Sequence, residues 1–403
     1  MKKLLLLGGS RYLLPAIKAA HELGVYVITA DYLPDNAAHK YSDEYRNVSV
    51  TDKEEVLSLA KELKVEGILS YATDLGVTTA AYVAERLGLP TSPYESVALL
   101  QNKGHFREFL RENGFNAPYA KSYKKPEDSL AEAETFKFPV IVKPVDSAGS
   151  KGVRRVDSKE DLVSSAEYAL TYSLTGEFIV EEFIELAGFS TDTDSFSIDG
   201  KLVFCSFNNQ WFDADAINPY TPSGYMWPSS MPDNIQKELR SELQRMMSLL
   251  DMGTSIYNIE TRMGTNGKAY IMECSPRAGG NRLAEILRLA TGQDLIKASV
   301  KAALGMPIED TITDPVYHGH WGEIILHSNR DGIFKELEIE ESFKDKCVAE
   351  IDLWVKPGDE VHRFTGANET TGTLVLHCES EEELTQALTS VNDLVTVKLE
   401  TTE

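Results

Sequence analysis

Four consecutive leucines, Leu4–Leu7, stop at Gly8-Gly9-Ser10 and open a repeating pattern that constrains the first ninety residues more than any other feature. Helical stretches Pro15–Leu23, Glu54–Leu63 and Val77–Leu87 alternate with the short apolar runs Val25–Ala30 and Gly67–Ser70. Short apolar strands separated by amphipathic helices read as β-α-β-α-β-α, and hence as a parallel sheet. Asp31 ends the second strand, where a dinucleotide fold places its ribose-binding acid. The fingerprint G-x-G-x-x-G is not met, because Arg11 to Leu14 supply no further glycine, so the plainer reading is a tight turn packing a helix on a strand.

The remaining chain changes character. A helix is expected over Val97–Asn113, closed by Gly114. Strands follow at Phe138–Val145, Phe178–Ile184, Ser195–Ile198 and Leu202–Phe207, then an amphipathic helix over Ile235–Leu250. Ser255–Arg262 and Ala269–Cys274 read as two strands joined by the turn Gly264–Gly267. Beyond residue 310, strands are expected at Tyr317–Leu326, Cys347–Val355, Gly372–His377 and Thr396–Leu399, with a helix at Glu381–Val391. With 403 residues, more than one core is needed, since single cores stop growing at roughly 250–300 residues.

Three segments carry chemistry. In the first, a strand ends at Lys143-Pro144 and runs into Asp146-Ser147-Ala148-Gly149-Ser150-Lys151-Gly152. A lysine beside a loop of small residues lets backbone amides and one ammonium close on phosphate oxygens, although the Walker A pattern is absent. In the second, Glu181-Glu182-Phe183-Ile184 ends an apolar strand, where it either presents extended backbone to an adenine edge or forms a solvated acidic edge. The third is the hairpin that carries Asn258-Ile259-Glu260 and Glu273-Cys274-Ser275-Pro276-Arg277. Paired strands can set Glu260 and Glu273 side by side, where two carboxylates repel unless a cation lies between them. Magnesium suits a few carboxylate oxygens with phosphates and water, and Arg277 offers a bidentate clamp for phosphate or carboxylate.

In order and spacing these segments resemble the ATP-grasp superfamily from about residue 90 to 310, preceded by its usual Rossmann-like domain. The resemblance implies α/β and α+β architecture: a Rossmann-like parallel sheet over residues 1–95, an ATP-grasp domain over 96–310 with a lid subdomain near 118–187, and a small C-terminal α+β domain over 311–403. It implies that Lys103 and Lys143 reach the phosphates, that Ser147, Gly149, Ser150 and Gly152 belong to a loop folding over them, and that Glu181, Glu182, Phe183 and Ile184 meet adenine. Glu260, Glu273 and Ser275 would hold Mg2+, or Mn2+ in its place, with Lys143 and Arg277 catalytic. The family pattern Glu-x-Asn-Pro-Arg here has Ser275 for the asparagine, and Gly188 stands where a ribose-gripping acid is usual, leaving Asp192 or Asp194 as substitutes.

The implied activity is ATP-dependent ligation of a carboxylate to an amine through an acyl phosphate. The C-terminal Val355-Lys356-Pro357-Gly358-Asp359 is similar to that of L-amino acid ligases. Alternatives are a phosphoribosylglycinamide synthetase or carbamoyl-phosphate-synthase-like enzyme, or a non-catalytic ATP-binding regulator. Small-molecule substrates are the expected partners, with a homodimer carried over from the family. A net charge of -23 speaks against nucleic acid and anionic membranes, and no apolar run approaches the ~20 residues of a membrane span. No secretory signal is evident, so a cytoplasmic location is expected.

Some residues keep two readings. The aromatic stretch Asn208–Phe212 to Asn218–Tyr220 and Gly224–Pro228 either lines an acceptor pocket or packs as a loop. His318 and His320 are expected as strand residues. Cys205, Cys274, Cys347 and Cys378 show no metal or disulfide spacing and are expected as small buried hydrophobes.

Overall fold

The computed structural model describes residues 1–308 and 312–400, so the boundary expected at 310–311 lies outside the described residues. The opening sheet is parallel, in the order Glu44–Asn47, Tyr26–Asp31, Lys3–Leu7, Gly67–Leu69. Its leucine run is buried on both faces. Leu4 and Leu6 enter one core and Leu5 and Leu7 another, which is why the sequence shows no polar alternation there. Full burial contributes about 2 kcal/mol for each such side chain. Asp52 caps the helix Lys53–Leu63 by accepting from the Glu55 amide at 2.9 Å. Asp31 is taken up locally, accepting from the Leu33 amide and from Asn36 Nδ2. A Cβ on Gly9 would lie 2.5 Å from the His39 ring, so the turn after the first strand is filled by packing.

Next comes a small antiparallel sheet ordered Ala120–Tyr123, Phe178–Glu182, Val140–Pro144, Arg154–Val156, with its own core against the helix Leu162–Leu170. The central sheet is ordered Lys201–Cys205, Thr191–Ile198, Ser255–Met263, Ala269–Ser275. One of its faces puts Tyr257, Ile259 and Ile271 in a common core with the helix Asp233–Leu249. The other has Phe196 and Ile256 packed with the helices Leu283–Thr291 and Leu295–Ala303, and becomes polar farther along the same strands. A five-stranded sheet then joins strands from both sides of residue 310: Asn209–Phe212, Pro222–Trp227, His320–Leu326, Gly372–Cys378 and Val348–Leu353. A three-stranded sheet of Glu360–Val361, Gly332–Ile339 and Val395–Glu400 completes the fold.

Several expectations shift. The aromatic stretch is two strands, and Tyr225 and Trp227 are core residues. His320 begins a strand as expected while His318 lies before it, and the segment expected as a strand from Cys347 is the end of the helix Glu341–Cys347 followed by a strand from Val348. Cys347 and Cys378, distant in sequence, come together with Glu383 so that one ligand atom of each lies within 4.8 Å of the others. No helix among the described residues is long and apolar enough to cross a membrane.

The helix expected over Val97–Asn113 is two, Tyr94–Gln101 and Lys103–Glu112. Asn102 is extended (φ -109°, ψ 111°) and its side chain caps the second helix by accepting from the His105 amide at 3.0 Å. The break leaves the Lys103 amide free to donate to the Val145 carbonyl, fixing this lysine beside the loop after Lys143. Asn102→Ala should cost about 1 kcal/mol, the usual worth of such a cap, measured by urea unfolding. An unchanged midpoint would show that the break is imposed by packing alone.

Candidate active site

Register alone assembles the polar face of the central sheet. Glu260 stands opposite both Glu273 and Asp192, and Asn258 stands opposite both Ser275 and Asp194. Directly opposed residues share a face, so two rows form: Asp192, Glu260, Glu273 and Asp194, Asn258, Ser275. The side-by-side placement expected of Glu260 and Glu273 is present. A bulge after Glu260 leaves Met272 outside the ladder, and its carbonyl accepts from Arg107 Nη1 at 2.7 Å.

Cations converge on these rows from other elements. Lys103 Nζ lies 3.4 Å from Glu273 and donates to the Ser147 carbonyl at 2.8 Å. Lys143 Nζ lies 2.6 Å from Glu181 Oε1, whose second oxygen accepts from Arg107 Nε at 2.9 Å. Burial alone would raise the Glu181 carboxyl, but the charges of Arg107 and Lys143 outweigh it and hold the group at about 2. Glu273 is likewise lowered against its burial by Lys103, Lys143 and Arg107. Arg262 makes a two-point contact with Glu260 Oε1, at 2.8 and 3.1 Å.

Arg277 is held rather than free. Its Nε and Nη2 meet the two Asp74 oxygens at 2.9 and 2.7 Å, and its Nη1 donates to Asn258 Oδ1 at 3.0 Å. Ser275 Oγ donates to Asp74 at 2.8 Å and accepts from Gln101 Nε2 at 2.7 Å, leaving one lone pair unused by these bonds. Asp74 belongs to the segment after the strand Gly67–Leu69, so this knot joins the parallel sheet to the central sheet.

Negative charge is in excess here. Burial, with the neighbouring charge of Glu260, pushes Asp192 up to about 7, and burial pushes Asp194 up to about 7. Asp194 Oδ2 has no hydrogen-bond partner among the described residues. Hard carboxylate oxygens in a row, crowded enough to resist ionisation, are a donor set that a divalent cation fits. Glu260 and Glu273 are the residues that would hold Mg2+, which would neutralise phosphate charge there.

The loop after Lys143 is shaped for anions. Gly149, Ser150 and Gly152 have φ of 67°, 58° and 73°, in the left-handed region. A Cβ on Gly152 would also meet Pro144 at 2.9 Å, so glycine is needed there twice over. Of the expected adenine segment, Glu181 spends its carboxylate on the two cations. The Glu182 and Phe183 amides donate to the Tyr119 and Pro139 carbonyls, and Ile184 sits beside Gly264. Gly188 (φ 83°) faces open space, while both proposed substitutes, Asp192 and Asp194, point to the carboxylate face.

Sequence reasoning missed Arg107, Gln101, Asn258 and Arg262 as parts of this site, and Asp74 as the partner of Arg277. Only Arg107 carried a usable signal, four residues beyond Lys103 and hence on the same helical face.

Because the Glu181 carboxyl is depressed on folding, its contribution is full above the ordinary value of 4.5 and is lost as pH falls toward about 2. Urea titrations between those pH values should show a steeper loss of stability in the wild type than in Glu181→Gln; equal slopes would mean that the carboxyl is not held by its two cations.

Residues 136–285 match the ATP-grasp domain family. The C-terminal section of the carbamoyl phosphate synthase large chain from Aquifex aeolicus is 23% identical over 329 residues, covering 80% of this chain and 59% of that one. The chain spans between 23% and 59% of the length of the carbamoyl phosphate synthase chains it matches. L-amino acid ligase from Bacillus licheniformis superposes with a TM-score of 0.83 at 20% identity, over 100% of this chain and 99% of that one. Phosphoribosylglycinamide synthetase from Anaerococcus prevotii superposes with a TM-score of 0.77 at 21% identity, over 99% of this chain and 100% of that one. The loop after Lys143 and the Glu260–Glu273 pair thus sit inside the matched stretch, and residues 136–285 of the chain are an ATP-grasp domain.

Proposed function

We propose that the protein is an ATP- and Mg2+-dependent ligase that joins a carboxylate to an amine through an acyl phosphate, with an L-amino acid as a substrate. The observation that carries this reading is the Asp192–Glu260–Glu273 row with Lys103 and Lys143 at one end and Arg277 beside it. In this reading the substrate carboxylate attacks the γ-phosphorus of ATP and ADP leaves. The amine then displaces phosphate from the acyl phosphate to form the amide.

The protein's part is electrostatic. Lys103, Lys143 and the loop 147–152 spread the charge of the transferring phosphoryl group, and Arg277, oriented by Asp74 and Asn258, holds the carboxylate or acyl phosphate. The loop excludes water that would hydrolyse the intermediate. Asn218 Nδ2 donates to the Ser150 carbonyl at 2.9 Å, and Ser150 Oγ donates to the Tyr220 carbonyl at 2.9 Å, which ties the loop to the segment 218–220. The amino-acid reading draws on the whole-length likeness to L-amino acid ligase.

ADP and phosphate release with Mg-ATP should require amino acids, tested singly and in pairs, with glycine plus phosphoribosylamine as a separate arm. Lys143→Ala and Glu273→Ala should each lower kcat/KM by about three orders of magnitude, since each removes charge stabilisation from the transferring phosphoryl group. Near-normal turnover in both variants would refute the reading, and release only with the purine pair would move the substrate to nucleotide synthesis.

A further inference from the structure

A second group of side chains takes no part in phosphoryl transfer. Cys347 ends the helix Glu341–Cys347, Cys378 ends the strand Gly372–Cys378, and Glu383 lies in the first turn of the helix Glu381–Thr389. One ligand atom of each, two sulfurs and a carboxylate oxygen, lies within 4.8 Å of the other two. Both cysteines are buried, and their thiols are within hydrogen-bonding reach of each other. Their spacing along the chain carries no metal motif, because sheet pairing and helix packing bring them together rather than a local turn.

Tetrahedral zinc binds thiolate sulfur at about 2.3 Å and carboxylate oxygen at about 2.0–2.2 Å, which sets two sulfurs about 3.8 Å apart and a sulfur and an oxygen about 3.5 Å apart. Three donors all within 4.8 Å of one another can therefore close on one ion by small side-chain rotations. A fourth donor stands nearby. His320 is directly opposite Cys378 in the antiparallel ladder, so the two side chains leave the same face of the sheet. Its Nδ1 is buried and has no hydrogen-bond partner among the described residues, a state that buried polar atoms rarely keep. Glu383 accepts from the Glu379 amide at 3.1 Å through one oxygen and pairs with Lys346 through the other. The Lys346 side chain is 60% exposed and that of Glu383 22%, so the ammonium can swing into water and yield its place to an ion arriving from that side.

We propose that Cys347, Cys378 and Glu383 hold a thiophilic divalent cation of the zinc type, with His320 as the fourth ligand. Soft sulfur donors favour zinc, whereas the all-oxygen carboxylate row favours magnesium, so the two sites take different ions. On binding, each thiol exchanges its proton for a bond to the metal, and two protons pass to solvent. Four protein ligands leave no open position, which makes the ion structural. It ties the ends of one helix and one strand to the start of the next helix, and through His320 to the strand His320–Leu326. The assignment stands apart from the ligase reading, since none of its ligands belongs to the reacting face.

The test is titration of Co2+ and then Zn2+ into the full chain, stripped of metal by a chelator and kept reduced with a phosphine. One equivalent of Co2+ should bind with sulfur-to-cobalt charge-transfer absorption and the strong visible bands of a tetrahedral site, and one equivalent of Zn2+ should displace it. Binding at the carboxylate row gives no sulfur band, which keeps the two sites distinguishable. Cys347→Ala and Cys378→Ala should each lower Zn2+ affinity by more than the ~10–100-fold that loss of an outer-shell partner costs, and Glu383→Gln and His320→Ala by about tenfold or more. The glutamine can still accept from the Glu379 amide, so Glu383→Gln keeps the helix start and reads the ligand alone. Zn2+ should raise the unfolding temperature of the wild type and not of the cysteine variants, with nucleotide affinity equal in all. Absence of the sulfur band, or undiminished affinity in either cysteine variant or in Glu383→Gln, would overturn the site. A reduced chain that takes up no cobalt, yet whose two thiols become a disulfide as peroxide is reduced to water, would replace it with a redox pair. Undiminished affinity in His320→Ala would strike that residue from the shell.

Discussion

Glu181 between Arg107 and Lys143 is the contact on which the site depends. All three side chains are almost fully buried, so the charges must satisfy one another. Arg107 comes from the helix after the Asn102 break, Lys143 and Glu181 from neighbouring strands of the small sheet, and Arg107 also binds the Met272 carbonyl at the central bulge. One carboxylate thereby fixes the small sheet relative to the carboxylate row. A buried pair of this kind adds little net stability over an apolar replacement, but removing one partner strands the other. Its value here is register.

A second knot does the same for the parallel sheet. Asp74 receives Arg277 at two points and Ser275 at a third, so the parallel sheet and the central sheet meet at the residue that would hold the carboxylate. Between the two knots the charges do not balance. Four of the carboxylates find cations, while Asp192 and Asp194 find none and are pushed up toward neutrality.

The parts of the fold legible in the sequence were those in which one apolar pattern decides one element. The leucine run, the helices near Lys53 and Asp233 and the Glu260–Glu273 hairpin all appear where the pattern puts them. The strand Thr191–Ile198 was legible only from Ser195, because Thr191 to Ser195 contains no apolar residue. Those polar side chains are buried by bonding to one another's neighbours, Thr191 to Thr261, Thr193 to Ser206 and Trp227 Nε1 to Thr193. No single-strand periodicity encodes such pairing. Register puts Asp192 and Asp194, the two residues offered as substitutes for the acid missing at Gly188, opposite Glu260 and Asn258.

The sequence by itself determined the parallel opening sheet, the lysine-and-glycine loop and the pair of glutamates, because these follow from residue type and spacing within one or two adjacent elements. Tertiary structure alone decided which charges meet. Arg107 finds Glu181 across 74 residues, Arg277 finds Asp74 across 203, and Glu323 is stranded under a helix from another part of the chain. Electrostatic partnership depends on distance in space and on the exclusion of water, and neither is defined until separate layers have packed.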